Sequence, residues 1–470
     1  MKNNTRLSGY RRFCNASTLR IALFAVISSC IISSCDNFVE VGLPASQLNS
    51  SAVFEDRATA NAAMTDIYSK IRDNGLLSGS LLGLSNQLGF YSDELELYEG
   101  ETNFYNNALL ASGSEVSELW NSSYNQIYAA NAVVEGVENS VSLAAADRDQ
   151  LKGEALFVRA LLHFYLLNAF GDIPYIHTTG YERNREVKRM KENEVYVLIK
   201  ADLEQAMVLL GDDYINEERV LPNKWTAEAL LARVYLYMQV WDEASNAASA
   251  VLNQGQLYVW EEDLDKVFLK ESTATIWQLM PKISGDNTQE AETFSFISGP
   301  PPKSALLNSL MESFTADDQR KAHWTTAVSD GTTVWYHVSK YKATTNSGSS
   351  KEYSIVFRLA EQYLIRAEAR AHQGDLIGAK EDLNKIRHAA GLPDTEATTG
   401  PALIDAILLE RRLELFTEFG HRFFDLKRTG KLDAVLSPIK GGWNSTDRNF
   451  PIPESELLLN PNLSPQNAGY

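Results

Sequence analysis

The stretch that decides the fold is Glu154-Ala-Leu-Phe-Val-Arg-Ala-Leu-Leu-His-Phe-Tyr165, which runs into Phe170-Gly-Asp-Ile-Pro174. Its apolar residues are dense and recur at helical spacing, so the pattern predicts a helix over residues 151–170. Gly171 allows a left-handed cap and Pro174 forbids continuation, so we expect the helix to end between them.

Helical periodicity extends on both sides of this stretch, from a tether rich in Ser, Gln and Asn at about 36–51 to near residue 255. Segments 54–72 and 116–139 each carry an apolar stripe, and Asn74-Gly75 is a natural stop for the first. The stripe residues are Phe54, Ala58, Ala62, Ile67, Tyr68 and Ile71 in the first segment, and Trp120, Tyr124, Ile127, Asn131 and Val134 in the second. Helices therefore dominate this half.

Two distant stretches share an internal pattern with offsets of 3, 9, 4 and 3 residues. They are Ala232, Tyr235, Ala244, Ala248 and Val251 in one copy, and Ala367, Arg370, Ala379, Leu383 and Ile386 in the other. The offsets match the small and aromatic positions of a tetratricopeptide hairpin, where small residues let two helices approach closely. The copies start 135 residues apart, far beyond the roughly 34-residue period of a tandem array, so insertions must separate the repeats.

The region from about 256 to 355 differs in character. Ile276–Met280 predicts a short strand, and loops rich in Gly, Pro and Ser follow around 281–304 and 343–351. Helical patterns return at 355–389 and 402–420, and the tail from Asn449 is too rich in proline to predict regular structure. The sequence thus predicts a mainly α protein with an inserted half of loops and short strands.

Several segments, in their order along the chain, resemble the SusD/RagB family of outer-membrane nutrient-binding lipoproteins. The matching blocks are Phe54 and Tyr68; Trp120, Tyr124, Ile127 and Asn131; Glu154–Tyr165 with Phe170–Pro174; Asn223–Tyr235; Arg358–Ala369; Glu410–Phe416 with Arg422–Arg428; and Pro451–Pro453 with Asn460–Leu463. Together they span nearly all of residues 50–470, and the segment that departs most from the pattern is 281–350.

The resemblance implies about four tetratricopeptide-like hairpins, not in tandem, that cradle a variable half. It also implies a role as the lid of a SusC-like TonB-dependent transporter, at the outer membrane and facing the cell exterior. The expected organisation is a signal peptide at 1–34, a lipid-anchored tether at 35–51, an N-terminal helical region at 52–255, and a C-terminal region at 256–470 with variable ligand-binding loops at 281–350 and a last helical repeat at 355–420.

The N-terminus resembles a bacterial lipoprotein signal, in which basic residues lead into the apolar run 21–32. The run ends in Ile32-Ser33-Ser34-Cys35, which resembles a lipobox, so we expect acylation of Cys35. Ile27-Ser28-Ser29-Cys30 competes but leaves a very short apolar region. Since Cys14 and Cys30 lie in the segment to be removed, the mature chain would hold no disulfide, thiolate metal site or cysteine nucleophile.

The net charge of the chain limits the kinds of ligand that its surface can attract. The full chain has a formal net charge of −18, and removal of residues 1–34, which carry five positive and no negative charges, makes it −23. Such a surface repels nucleic acid and anionic lipid headgroups. The ligand is therefore expected to be neutral, cationic or another protein.

Recognised catalytic patterns are missing from the sequence. The seven histidines show no His-Glu-x-x-His spacing, and there is no Gly-x-Ser-x-Gly elbow or phosphate-binding Gly-x4-Gly-Lys-Ser/Thr loop. We expect neither enzyme activity nor a cofactor or metal, although a carboxylate pair of a glycoside hydrolase stays open. Charged residues inside the apolar blocks are interpreted as buried ion-paired networks rather than a site; they are Arg159, Glu410, Arg411, Glu414, Asp425 and Arg428.

Aromatic residues outside the periodic segments are the candidates for ligand binding, because sugar rings pack on aromatic planes while their hydroxyls need polar partners. They form an earlier group, Tyr91, Tyr98, Phe104 and Tyr105 with Asn106, and a later group, Phe294, Phe296, Trp324, Trp335 and Tyr336. We place the site in the later group. The ligand is expected to be a glycan, or alternatively a peptide read in the manner of RagB through its backbone.

The lipid anchor gives the first testable prediction. Replacing Cys35 with Ala should abolish acylation and release the protein from membranes, because the lipobox thiol is the acceptor. Fractionation with an acyl label checks this, and Cys30→Ala is the matched control that should stay membrane-bound. Normal labelling of the Cys35→Ala protein would show that the assignment is wrong and would favour Cys30.

Overall fold

The computed structural model describes residues 50–470, so Cys35, the leader and most of the predicted tether lie outside the described residues. The first half of this part is helical, with one short strand. Its elements are α1 Ser50–Val53, α2 Arg57–Asp73, α3 Leu84–Tyr91, β1 Leu95–Leu97, α4 Ser114–Asn139, α5 Ala145–Phe170, α6 Tyr181–Asn184, α7 Glu192–Leu209, α8 Lys224–Tyr237 and α9 Trp241–Leu252.

The second half begins with short elements and returns to longer helices. Its elements are β2 Thr275–Leu279, α10 Gln289–Phe294, β3 Ser304–Leu306, α11 Asn308–Ser313, α12 Gln319–Trp324, β4 Thr325–Ser329, β5 Val334–Val338, β6 Ser354–Arg358, α13 Leu359–Gln373, α14 Leu376–Ala389, α15 Gly400–Glu414, α16 His421–Arg428, α17 Leu432–Leu436, a 3-10 turn Ser445–Arg448, α18 Glu454–Leu459 and a 3-10 turn Pro461–Leu463. The predicted mainly α fold class is confirmed.

Helix α5 lies at the centre of the helical frame. Every side chain from Gly153 to Phe170 is buried, because α4 and α7 pack along it. Gly171 has φ +75°, and its backbone N–H bonds to the Leu167 carbonyl, so the helix ends where the sequence predicts. Burial also lowers the pKa of His163 to about 3, and the neutral ring accepts a hydrogen bond from the Ile176 N–H at 3.1 Å.

The two sequence copies form two helical hairpins, α8–α9 and α13–α14. Ala232 and Ala248 in the first, and Ala367 and Ala379 in the second, are fully buried where the helices meet. Although the copies are far apart in sequence, α9 packs directly against α13, so the hairpins are neighbours and residues 253–358 form an excursion from the stack. Their assignment to the tetratricopeptide class stays a prediction.

Five of the six strands in the described residues, β2 to β6, belong to this excursion, and the strands form antiparallel pairs. β1 pairs with β3, β2 with β6, and β4 with β5. Two expectations were wrong. Residues 354–358, the start of the helix predicted from 355, form the strand β6 because they pair with β2. The proline-rich tail, predicted to lack regular structure, contains the helix α18. Pro453 stands just before that helix, where proline costs no backbone hydrogen bond.

The charged residues that the sequence placed in buried networks are ion-paired as predicted. Arg159 holds Asp202 through two hydrogen bonds of 2.6 Å. Arg411 and Arg428 share Asp425 at 2.7 and 2.8 Å. The Arg159 and Arg411 pairs each join two helices, whereas Arg428 and Asp425 lie on one helix, α16, which Arg428 joins to α13 through Glu368. These positions fit a role in packing rather than in ligand contact.

The largest network, here called the ionic clamp, joins the excursion to the helical frame. Its members are Asp318, Arg320, Lys340 and Arg358 from the excursion and Glu410, Glu414 and Glu418 from the frame. They are buried or, for Glu418, nearly so.

Glu414 is the hub of the clamp. One of its carboxylate oxygens accepts from Arg320 at 3.0 Å and the other from Arg358 at 2.5 Å, and Lys340 donates to its backbone carbonyl at 2.8 Å. Burial opposes ionisation of this carboxyl, but the guanidinium groups of Arg358 and Arg320 hold its pKa below the usual range. Glu414 therefore stays ionised at neutral pH.

Removing the hub should destabilise the fold strongly. Glu414→Gln removes the carboxylate that Arg320 and Arg358 share, so each guanidinium loses one charged partner in a buried site. This should lower the free energy of unfolding by about 3–5 kcal/mol. Chemical denaturation measures this, and Glu381→Gln, an exposed carboxylate on α14, is the matched control that should change it by less than about 0.5 kcal/mol. Equal stability of the two variants would contradict the role of the clamp.

Candidate ligand-binding site

Three adjoining clefts lie along one face, where the start of the chain's helical half meets the excursion. The loop cleft, about 310 Å³, lies between segments 72–79, 279–292 and 343–354. The middle cleft, about 510 Å³, lies between 80–82, 289–296 and 302–304. The amide cleft, about 980 Å³, lies between 81–90, 97–106, 114–118 and 302–303. Neighbouring clefts share lining residues, and the three adjoining clefts together are here called the groove.

Pairing between β1 and β3 builds the middle of this groove. Leu95 stands opposite Leu306 and Leu97 opposite Ser304, and the pairing continues where the Tyr98 N–H donates to the Lys303 carbonyl at 2.7 Å. Because of it, the segment that carries the earlier candidate group lies against the segment that carries the later one. On the sequence alone, the two groups are alternative locations for the ligand-binding site.

Two buried amides, Asn86 and Gln87 of α3, line the amide cleft. Both side-chain nitrogens donate to one backbone carbonyl, that of Leu81, at 2.9 and 2.7 Å. This fixes the orientation of each amide and leaves both side-chain oxygens without a hydrogen-bond partner. Both oxygens are themselves almost inaccessible, so the two amides hold the Leu81 segment in place beneath the cleft.

Carboxylates form much of the rim of the amide cleft. Glu99, Glu101, Glu115 and Glu118 line it, against one lysine, Lys303. Among the described residues none of the four carboxylates forms an ion pair. Glu115 accepts hydrogen bonds from two neutral side chains, Asn103 at 2.8 Å and Ser114 at 3.3 Å. The cleft is therefore acidic and rich in acceptors.

Tyr98 and Trp335, one from each predicted group, form an aromatic pair. Their ring centroids are 6.3 Å apart in an edge-to-face arrangement. Trp335 is buried against Phe296 and Ala305, and it packs so closely on Gly299 that a Cβ there would lie 2.0 Å from the indole. Tyr98 is 44% exposed, so Trp335 supports a ring that Tyr98 presents to solvent.

Tyr105 and Asn106 continue this surface. The Tyr105 hydroxyl donates to Glu96 at 2.7 Å, and its ring lies 4.3 Å from the ammonium of Lys440. Burial and the Glu96 carboxylate raise the pKa of Tyr105 to about 12, so the hydroxyl stays protonated. Asn106 is exposed and lines the amide cleft.

Two predicted ligand residues, one from each group, lie in the core and are not accessible to a ligand, contrary to the prediction for them. Trp324 is 1% exposed, packs edge-on against Phe268 and donates its indole N–H to the Leu264 carbonyl. Phe104 is fully buried against Tyr91 and Phe450.

Three other predicted aromatic residues are buried or half-buried. Phe294 and Phe296 line the middle cleft but are largely buried. Tyr336 is half-buried, with the Lys321 ammonium 5.7 Å from its ring. None of these three presents the open ring face that the prediction required, whereas Tyr98 does.

Sequence reasoning missed Asn86 and Gln87. They stand in Leu84–Tyr91, a helix whose eight residues are all buried, and polar side chains in a wholly buried helix need partners. That combination was the available signal, but burial of α3 depends on contacts with distant segments and is not visible as periodicity in eight residues.

The described residues, 50–470, offer neither a cluster of metal ligands nor a membrane-spanning helix. They contain no group of three or more His, Cys, Asp or Glu side chains that could hold a metal ion. No helix in this part of the chain is long and apolar enough to cross a membrane.

Comparison with known proteins identifies the family. Residues 47–236 match a family described as starch-binding and associating with the outer membrane, and residues 309–470 match the SusD family. A SusD-like protein, P2, from Formosa agariphila is 30% identical over 424 residues, which cover 76% of this chain and 81% of that protein. The starch-binding protein SusD of Bacteroides thetaiotaomicron is 39% identical over 124 residues, 24% of this chain and 21% of that one. The chain belongs to the SusD/RagB family.

Solved structures share the fold. A SusD superfamily protein from Bacteroides vulgatus has a TM-score of 0.78 at 22% identity, covering 89% of this chain and all of that one. A laminarin-binding SusD-like protein has a TM-score of 0.72 at 22% identity, covering 88% and 99%. The predicted family and its helical architecture are therefore confirmed.

Proposed function

We propose that this protein binds a glycan in the groove, with the amide cleft and Tyr98 as the main contacts, and that it does so without catalysis. The observation that carries the proposal is the exposed ring of Tyr98, which Trp335 supports and which stands between Leu97 and Glu99 of the amide-cleft lining. Carboxylates and the exposed Asn106 give this cleft its hydrogen-bond acceptors. Sugar hydroxyls can donate to such acceptors, and a sugar ring can pack on the exposed face of Tyr98. The laminarin-binding and starch-binding names of relatives support a glycan.

The groove suits an extended ligand. Each cleft is of the size that holds a small organic ligand, about 300–1,000 Å³, and the three adjoin. Side chains rather than an open sheet edge supply most of the lining. A glycan, whose hydroxyls can all act as donors, fits such a lining better than a peptide backbone, which needs donors for its carbonyls.

A peptide ligand remains the second candidate because one observation favours it. The amide cleft is lined by four carboxylates, and Phe90, the one aromatic residue in its lining, is buried. Such a lining would suit basic side chains. A glycoside hydrolase is the weaker alternative, and turnover of a bound oligosaccharide would establish it.

Binding measurements with matched variants test the site. Tyr98→Ala and Asn106→Ala should each weaken binding of the best oligosaccharide from a panel of laminarin-type, starch-type and chitin-type oligomers and peptides. The expected loss is on the order of 1–3 kcal/mol for the aromatic residue, measured by calorimetric titration. Tyr181→Ala, which removes an aromatic residue that is 72% exposed on α6, is the matched control and should bind normally.

Thermal melts of the same proteins separate binding from folding. Tyr98→Ala should melt near the wild type, whereas Trp324→Ala should lose about 3–5 kcal/mol of stability because it empties a core position. If Tyr98→Ala and Asn106→Ala both bind like the wild type, the proposed site is wrong.

We also propose that the protein is lipid-anchored through Cys35, faces the cell exterior and forms the lid of a SusC-like TonB-dependent transporter. Membership of the family, one of whose matching models is described as associating with the outer membrane, supports this. A specific lid contact should bury more than about 1,000 Å². Extraction in mild detergent should therefore recover the protein with a much larger transporter, and recovery of monomer alone across several detergents would contradict the lid.

A further inference from the structure

A hairpin of the chain, residues 173–190, lies along α4. Its two arms meet where the Met190 N–H donates to the Ile173 carbonyl at 2.9 Å. The first arm runs toward the C-terminal end of α4, where the Thr178 hydroxyl donates to Glu135 at 2.7 Å. The short helix α6 forms the tip of the hairpin, so the tip lies at that end of α4.

The tip and second arm are basic, although the chain as a whole is acidic. Residues 181–191, here called the basic strip, hold five positive and two negative side chains, a net charge of +3 against −18 for the full chain. Arg183 and Lys188 are exposed, and neither forms an ion pair within the described residues. Arg185 is also exposed and has only a 3.4 Å contact with Glu182. Most of the positive charge of the strip is therefore open to solvent.

The last two basic residues of the strip hold it on the protein. Arg189 donates to the backbone carbonyls of Asp172 and Pro465 at 2.7 and 2.6 Å. Lys191 pairs with the Asp172 carboxylate at 2.6 Å. The exposed basic side chains thus stand on a segment whose position is fixed by its own neighbours.

Two exposed leucines lie beside the basic strip. Leu458 and Leu459, at the end of α18, are 77% and 79% exposed. The next residue, Asn460, donates from its side chain to the Val187 carbonyl of the strip at 2.8 Å. Single exposed apolar residues are ordinary, but adjacent leucines next to unpaired basic side chains are typical of surfaces that bind anionic lipid. Tyr181, at the start of the strip, adds an exposed aromatic ring.

The strip also lies close to the point where the described part of the chain begins. Phe54 packs on α4 so closely that a Cβ on Gly136 would lie 2.1 Å from its ring. The Phe54 carbonyl accepts a hydrogen bond from the Ser140 hydroxyl at 2.6 Å. Gly136 follows Glu135, which holds the hairpin, so both attachments use the same turn of α4. A lipid anchor at Cys35 would therefore join the folded protein beside the basic strip.

We infer that the basic strip, with Leu458 and Leu459, docks on an anionic lipid surface, whose phosphate headgroups contact the basic side chains while the leucines enter the interfacial layer. The inference rests on the proposed lipid anchor and extends it by assigning the side of the protein that faces the membrane. Local charge decides the contact because exposed charges farther away than about 8 Å are screened at physiological ionic strength. An acidic protein face would suit the same charges, but the position beside the anchor favours lipid.

Photo-cross-linking of the full chain, as the cell processes and acylates it, tests this surface. The protein is placed in mixed vesicles of phosphatidylglycerol and phosphatidylcholine, with the photoactivatable group on one lipid or on the other. Cross-linked peptides should map to 181–191 and 454–463, with a yield roughly threefold or more higher from the anionic probe. Sodium chloride at about 1 M, where the screening length is about 3 Å, should remove the difference. Equal yields from the two probes at low salt, or cross-links confined to other segments, would overturn the inference.

Matched variants test whether charge makes the contact. The double variant Arg183→Gln, Lys188→Gln removes two unpaired charges and should lower the cross-linking of the strip to about a third or less. The double variant Lys266→Gln, Lys351→Gln removes two exposed positive charges from the excursion and should cross-link like the wild type. Both should melt like the wild type, because none of the four side chains is buried. An unchanged yield in the strip variant would overturn the inference.

The remaining outcomes separate this inference from the proposed anchor and lid. If the protein stays on vesicles through its acyl group but the strip gains no cross-links, the docking surface is wrong and the anchor stands. If the protein carries no acyl label and does not sediment with vesicles, both are wrong. If the strip cross-links to a co-purified transporter in place of lipid, the surface belongs to the lid contact and the lipid assignment is wrong.

Discussion

The buried ionic clamp is the constraint on which the rest of the structure depends. The excursion contributes one strand and the support of the aromatic pair to the site, yet it is built from short elements that could not stay folded alone. Arg320 and Lys340 fasten it to Glu414 and Glu418 of the frame. Removing one partner of a buried ion pair leaves an uncompensated charge, so we expect the position of the excursion to depend on a complete clamp.

That fixed position lets β3 meet β1 and gives the groove its chemistry. Trp335 of the excursion packs against Tyr98 and so forms the aromatic pair. Residues 302–303 of the excursion line the amide cleft together with Asn86 and Gln87. A rigid frame with preorganised acceptors reduces the entropy lost on binding. The fold thus keeps its paired charges inside and leaves its unpaired acceptors at the groove.

Much of the frame could be predicted from sequence because local patterns determine it. Periodicity located α4 and α5, and the recurring small residues around Ala232 and Ala367 located two hairpins, since these signals lie within one or two helical turns. The buried role of Glu414 also followed from its setting in an apolar block. These features need no knowledge of distant segments.

The site could not be predicted to the same degree because it depends on long-range pairing. Trp324 and Phe104 lie outside periodic segments and were therefore expected to be accessible, but distant residues such as Leu264 and Phe450 cover them. Asn86 and Gln87 line a cleft together with residues 302–303, which are distant in sequence, so local patterns could not place them there.

Hydrogen exchange with the tightest-binding oligosaccharide tests the central claim, ligand binding in the groove, most directly. We expect slowed exchange in 81–106 and 302–304, with exchange in α8, α9, α13 and α14 unchanged. Protection confined to segments outside the groove would contradict the claim.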